Sequence, residues 1–420
     1  MYANIGKPQN SGNSAFTSTR LSFSLPRRFL FTISLLLALV LRAMPATDQF
    51  TPVLVYTLNS GSAAFLGTDG KQHLVYELEL VNANATPATL RKIDVLDASA
   101  PARVVATYEG SELLLHLRTL GKTPVSSPEI EFDGARIFLF QLTFGPKALI
   151  PRRLVHRVTV LGGGMPAPTP QRPVQLSYTA APLTVLRNVP VIGPPLRGRA
   201  WVALNGCCEI GGAHRASSQT VNGGLYFAQR FAIDWMRLDD NGRLLNGDST
   251  NVERYSDYGA DVVAVADGKV VAILNNLEDQ KPGTLPDIST INLGNVDGNH
   301  IVLDLGNGVF AFYAHLRRDS ISVSAGDHVQ RGQVLAKLGN TGNTSAPHLH
   351  FHLMDSPSTL GSNGLPYVID SFEFAGEIPR ARFQAAEKLD GAWNDGMLPT
   401  PSLRRDQYPM DLAIINFPSH

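Results

Sequence analysis

Between residues 50 and 160 apolar and polar side chains alternate with a period of two, in the runs 53–56, 73–80, 104–108, 113–117 and 137–142. In an extended chain successive side chains leave from opposite faces, so each run predicts a strand. Gly, Pro, Asn and Asp separate the runs, and short strands punctuated in this way predict a β-sandwich over residues 47–160. His73, His116 and His156 stand singly among these residues and read as ordinary sheet positions.

Gly162, Gly163 and Gly164, followed by Pro166, Pro168, Pro170, Pro173 and Pro182, break the alternation, and 161–198 reads as a Pro/Gly-rich linker. Short apolar runs between glycine turns then return at 262–266, 270–274, 301–305 and 309–313. The chain is therefore expected to be mainly β. A small antiparallel domain with glycine-cornered, barrel-like turns follows the sandwich at 199–372. A C-terminal extension, 373–420, is expected to pack over it.

Composition narrows the class. Hydrophobic residues make up 44% and charged residues 17%, enough to bury real cores, which excludes a chain disordered throughout. Lys+Arg and Asp+Glu both number 36, so no global field attracts nucleic acid. The first 46 residues hold five basic groups and no acidic one, and removing them leaves 31 basic against 36 acidic residues, a balance of −5. Arg27 and Arg28 precede the apolar run 29–41, and small residues follow it at 43–46. This predicts a secretory signal peptide over 1–46 and an exported protein, periplasmic or extracellular. The same segment offers an alternative, an uncleaved membrane anchor, although its apolar run is short beside the about 20 residues of a membrane span. Only two cysteines occur, adjacent at Cys207 and Cys208. That excludes a multi-bridge disulfide scaffold, and the pair reads as a loop-shaping element outside any metal site.

Chemistry concentrates downstream, at His214, His300, His315, His328, His348, His350 and His352. In His348-Leu349-His350-Phe351-His352 the imidazoles recur every second residue, so on a strand all three leave from one face. Catalytic zinc takes three protein ligands and keeps an open position, and an HxH pair supplies one or two of them. The obvious carboxylate is Asp234, in an apolar run where an unpartnered charge would be costly. Arg230 and Arg237 are its alternative, salt-bridging partners. His300 and His328 lie beside turn glycines and read as surface residues.

Four ordered segments resemble the lysostaphin-like (LytM-type) zinc metalloendopeptidases: 259–270 (GADVVAVADGKV), 298–316 (GNHIVLDLGNGVFAFYAHL), 325–334 (AGDHVQRGQV) and 338–353 (LGNTGNTSAPHLHFHL). The resemblance covers about residues 205–355. It implies a zinc metallopeptidase domain within 199–372 that hydrolyses peptide cross-links of bacterial cell-wall peptidoglycan. It further implies Zn2+ held by His214, Asp234 and His350, with His315 and His348 as the non-ligand catalytic histidines. One departure stands out: His214 and Asp234 lie 20 residues apart where the family commonly has four, which requires a loop or hairpin insertion between them. Such an insertion is tolerable, since doubling a loop costs only about 0.6 kcal/mol. His352 is a second departure, read as a group orienting a ligand or as a ligand in place of His350.

Other readings are a catalytically silent regulator of wall hydrolases, a secreted binding protein with structural zinc, and a lipoyl-like carrier. All five site positions are filled, which disfavours the silent regulator. A ligand set with an open position disfavours structural zinc. A carrier needs an exposed lysine on a tight hairpin, whereas Lys337 lies within an apolar strand pattern.

Overall fold

In the computed structural model the described residues are 48–59, 61–163, 172–384 and 391–419. The signal or anchor expected over 1–46 lies outside them. No helix among the described residues is long and apolar enough to cross a membrane.

Two antiparallel-rich sheets form the N-terminal part. One orders the strands Val53–Thr57, Gln72–Asn82, Ala135–Phe144 and Leu117–Arg118, with Phe65–Leu66 paired to the second. The other orders Gly61–Ala63, Val174–Leu186, Arg153–Gly162, Ala88–Asp97 and Ala100–Glu109. Leu74, Tyr76, Leu78 and Leu80 from the first sheet share an apolar core with Ile93, Val95, Val158 and Leu183 from the second. The alternate residues of Gln72–Asn82, namely His73, Val75 and Glu77, are buried too. That sheet is therefore covered on both faces, and Val75 and Phe65 join the core of the downstream region.

Three expectations need correction. Residues 110–116 form a short helix, Gly110–His116, and only Leu117–Arg118 remains strand. Glu112 and three consecutive leucines are good helix formers without β-branching, and the leucine run lacks a true polar alternation. The segment 161–198 is not a free linker, because it holds the strand Val174–Leu186, paired along Arg153–Gly162. Pro182 is accommodated there because the register shifts between Leu154 and His156, and a bulge tolerates a missing N–H donor. The C-terminal extension packs on the preceding domain in part, with Ile378 and Trp393 against Met236 and Leu244, but it also enters the sheet. Ala413–Phe417 is an interior strand between Gly198–Leu204 and Phe372–Glu377, and Met397–Arg404, with Pro399 and Pro401, forms the edge.

The downstream region is built on an 11-stranded sheet. Its centre runs Asn299–Asp304, Phe310–Leu316, Leu349–Met354, Ile233–Arg237 and Gly198–Leu204, all antiparallel neighbours. Trp201, Trp235, Tyr313, Phe351 and Leu353 bury one face in a continuous core, and the opposite face of the central strands carries Asp234, His350 and His352 beside apolar residues such as Val302, Phe312 and Ala314.

Candidate metal centre

Register brings the chemistry together. Asp234 on Ile233–Arg237 pairs directly with His350 on Leu349–Met354, and His350 pairs on its other side with Ala314 of Phe310–Leu316. His352, two residues along the same face, stands opposite Phe312. His348 immediately precedes its strand. His315 sits near the end of Phe310–Leu316 with a left-handed backbone, φ 61°.

Two glycine-rich turns hold His315 in that conformation. Its Nδ1–H donates to the Thr341 carbonyl at 2.7 Å, and Thr341 is fixed in turn by Asn299 N–H donating to its Oγ1, also at 2.7 Å. A Cβ at Gly298 would lie 2.2 Å from the Thr341 carbonyl oxygen, so only glycine permits this approach of the two chain segments.

His214 arrives from a different direction. Between it and Asp234 the chain makes a hairpin, Gln219–Val221 with Gly224–Tyr226, closed by Asn222 and Gly223, both at positive φ as a two-residue turn requires. His214 Nδ1–H donates to the Ala232 carbonyl at 3.1 Å, which turns Nε2 toward Asp234. The structure thus gathers His214, Asp234 and His350, each offering a donor atom within 4.8 Å of the others, and a second group, His315, His348 and His350, on the same criterion.

The distances suit a cation in the first group. His214 Nε2 lies 3.4 Å from Asp234 Oδ2, and His350 Nδ1 lies 2.9 Å from Asp234 Oδ1. Burial lowers the pKa of His214, against the charge of Asp234, which raises it. With its Nδ1–H committed to Ala232, His214 turns Nε2 toward a carboxylate oxygen, and in the neutral ring that nitrogen carries a lone pair. Two lone pairs facing each other repel unless a cation lies among them, and a tetrahedral zinc site with bonds of about 2.0–2.1 Å separates its donors by about 3.4 Å. A His-Asp-His donor set is also the chemistry zinc accepts.

Electrostatics point the same way. Burial alone would raise the Asp234 carboxyl, but the charges of His214 and His348 and hydrogen bonds from His348 and His350 hold it well below the usual carboxylate range. Burial would lower His348, yet the charge of Asp234 and a bond to it raise that imidazole above its ordinary value. His315 is pushed well below its ordinary value by burial first and by the neighbouring histidines second. His348 Nδ1–H donates to the Ala346 carbonyl at 2.8 Å, while its Nε2 lies 3.4 Å from Asp234 Oδ1. Both His315 and His348 therefore have Nδ1 occupied by a carbonyl, their ring centroids are 4.6 Å apart, and the Nε2 of His348 faces Asp234.

Arg230 and Arg237 are not the partners of Asp234. Arg230 pairs with Glu77, and Arg237 donates to the Ser256 carbonyl and lies over the Trp201 ring. His352 Nδ1 sits 3.0 Å from His350 Nε2, so His352 backs His350. Sequence reasoning passed over Asn205, whose Nδ2 donates to Asp234 Oδ2 at 2.7 Å. An Asn-Gly pair after a strand signals a turn and nothing more. Cys207 and Cys208 form a vicinal disulfide, buried beside Tyr408, so neither sulfur is a thiolate ligand. His300 is half-buried and His328 exposed, and neither reaches the centre.

Residues 250–361 match the family described as Peptidase family M23. This stretch contains His315, His348 and His350 but neither His214 nor Asp234. Glycyl-glycine endopeptidase ALE-1 of Staphylococcus capitis is 33% identical over 109 residues, 26% of this chain and 25% of the relative. Lysostaphin of Staphylococcus simulans is 33% identical over 142 residues, 34% of this chain and 24% of the relative. Peptidoglycan DD-endopeptidase ShyA of Vibrio cholerae is 42% identical over 57 residues, 14% of this chain and 13% of the relative. The chain thus spans about a quarter or less of the length of these curated relatives. Among solved structures, the catalytic domain of lysostaphin from Staphylococcus simulans is 24% identical, covering 35% of this chain and 80% of that one, with a TM-score of 0.21.

Proposed function

From residues 250–361 being a Peptidase family M23 domain, we infer that this chain is an exported zinc metalloendopeptidase that hydrolyses peptide bonds in the cross-links of bacterial peptidoglycan. The observation that carries the reading is the convergence of His214 Nε2, 3.4 Å from Asp234 Oδ2, and His350 Nδ1, 2.9 Å from Asp234 Oδ1, in one buried His-Asp-His group. Zinc bound by these three residues supplies Lewis acidity toward the scissile carbonyl and the attacking water.

The remaining work falls to His315 and His348. Each keeps its Nδ1 proton on a backbone carbonyl, so proton exchange falls to Nε2, which in His348 also faces the Asp234 carboxylate. The chain contains no HExxH, so no helical glutamate serves as base, and imidazole is the group of suitable pKa. These two rings hold the water, take its proton and pass it to the amine nitrogen as the C–N bond breaks. Protonated, they stabilise the tetrahedral oxyanion. Substrate is supported by the relatives: ALE-1 is named a glycyl-glycine endopeptidase and ShyA a peptidoglycan DD-endopeptidase. Export is supported by the basic and apolar character of residues 1–46.

The test is digestion of purified peptidoglycan, with released peptides and new amino termini identified by mass spectrometry. New termini that vanish with a chelator and return with zinc are expected. Absence of new termini, or cleavage indifferent to the chelator, contradicts the reading.

A further inference from the structure

We propose that Glu77, in the N-terminal two-sheet region, is a positioning residue for the metal centre, acting through Arg215 and Arg230 to fix the loop that carries His214. The proposal rests on the metal-centre reading above and concerns how one of its ligands is held.

Glu77 lies on the outer face of Gln72–Asn82, the face turned away from the N-terminal core. It is 1% exposed, Arg215 1% and Arg230 3%. Arg215 Nη1 meets Glu77 Oε1 at 2.6 Å, and Arg230 Nη2 meets Oε2 at 3.0 Å. Arg215 Nη2 also donates to the carbonyls of Tyr76, at 3.2 Å, and Phe140, at 3.0 Å, on two neighbouring strands of that sheet. One carboxylate therefore anchors both ends of the insertion between the two upstream metal ligands. Arg215 adjoins His214. Arg230 lies two residues before Ala232, whose carbonyl orients the His214 ring.

A second set of contacts closes the same interface. Ile137 and Leu139, on the outer face of Ala135–Phe144, pack with Ile210 and Phe227 from either side of His214, and Ser218 Oγ donates to the Leu120 carbonyl at 2.8 Å. Asp234 and His350 need no such support, because the central sheet pins them by direct strand pairing. His214 lies on irregular chain, and the residues that flank it, Ile210, Arg215 and Ser218, are held by the N-terminal region. Groups that orient a ligand from behind typically tune metal affinity by about 10- to 100-fold.

The experiment measures zinc affinity by chelator competition in the native protein and in Glu77→Gln, Arg215→Met and the double variant, with near-ultraviolet circular dichroism reporting the fold. Arg215→Met leaves Glu77 paired with Arg230, so it strands no buried charge, and it decides the matter alone if Glu77→Gln does not fold. Leu74→Ala, in the N-terminal core away from the interface, controls for general destabilisation. Each anchor variant is expected to raise the dissociation constant at least about tenfold, the double no more than the worse single, and Leu74→Ala to leave it unchanged. Variants that bind zinc within about twofold of native affinity, or a Leu74→Ala protein that loses affinity equally, would overturn the proposal. A native protein that binds no zinc would instead refute the metal-centre reading beneath it.

Discussion

His214 and Asp234 face each other at 3.4 Å, Nε2 to Oδ2, while the other ring nitrogen of His214 is spent on the Ala232 carbonyl. The carboxylate also accepts from Asn205 and lies beside His348 and His350. Its charge is therefore shared by groups proposed above for metal binding and groups proposed for proton transfer, and this coupling has measurable consequences.

In the metal-free protein, Asp234→Asn removes the charge that raises His348. The His348 pKa should then fall, since burial alone lowers it. Titration of the imidazole C–H resonances by NMR checks this, and an unmoved His348 would show that the raising charge lies elsewhere. The same variant should bind zinc at least about 100-fold more weakly, because it loses a charged ligand.

Gly298→Ala would place a methyl group 2.2 Å from the Thr341 carbonyl oxygen, the acceptor that orients His315. Displacing a catalytic group by about 1 Å costs on the order of 100-fold in rate. The expected result is at least a tenfold loss in kcat, about 1.4 kcal/mol, with the zinc content unchanged. Loss of zinc in step with activity would place the damage at the ligands.

His352→Phe removes the partner of His350 Nε2 while keeping a ring in the pocket beside Phe312. Zinc affinity should fall by about 10- to 100-fold, as for other outer partners of ligating histidines. An unchanged affinity would mean that the strand alone orients His350.

Asp257 is fully buried, both its oxygens lack hydrogen-bond partners, and burial pushes its carboxyl up to about 8. A carboxyl whose pKa is raised on folding favours the native state while it stays protonated there. That contribution is complete below the unfolded value near 3.8 and is lost as pH rises toward 8. Between pH 5 and 8 the native protein should therefore lose more stability, or gain less, than Asp257→Asn, by on the order of 1–3 kcal/mol. Chemical denaturation at several pH values reads this directly.

The strands and the histidine face were legible because both depend on local periodicity. His348, His350 and His352 alternate in sequence as they do in space, and Asn222-Gly223 has the turn chemistry of the hairpin it closes. The Asp234–His350 register was not legible, since strand partners are chosen by packing of residues more than 100 positions apart. Glu77 reads in sequence as the polar half of an alternating strand. It is buried only because two arginines more than 130 residues away fold onto it, which no local pattern encodes. Leu113–Leu115 misled because a leucine run satisfies helix and strand alike, and local propensity decided for the helix.

The central claim separates ligands from catalytic groups. Zinc content and peptidoglycan hydrolysis, measured on the same preparations of native protein, His214→Ala and His315→Ala, test it most directly. The account predicts about one zinc per chain in the native protein, loss of both metal and hydrolysis in His214→Ala, and retained zinc without hydrolysis in His315→Ala. Zinc retained by His214→Ala, or zinc lost from His315→Ala, would contradict it.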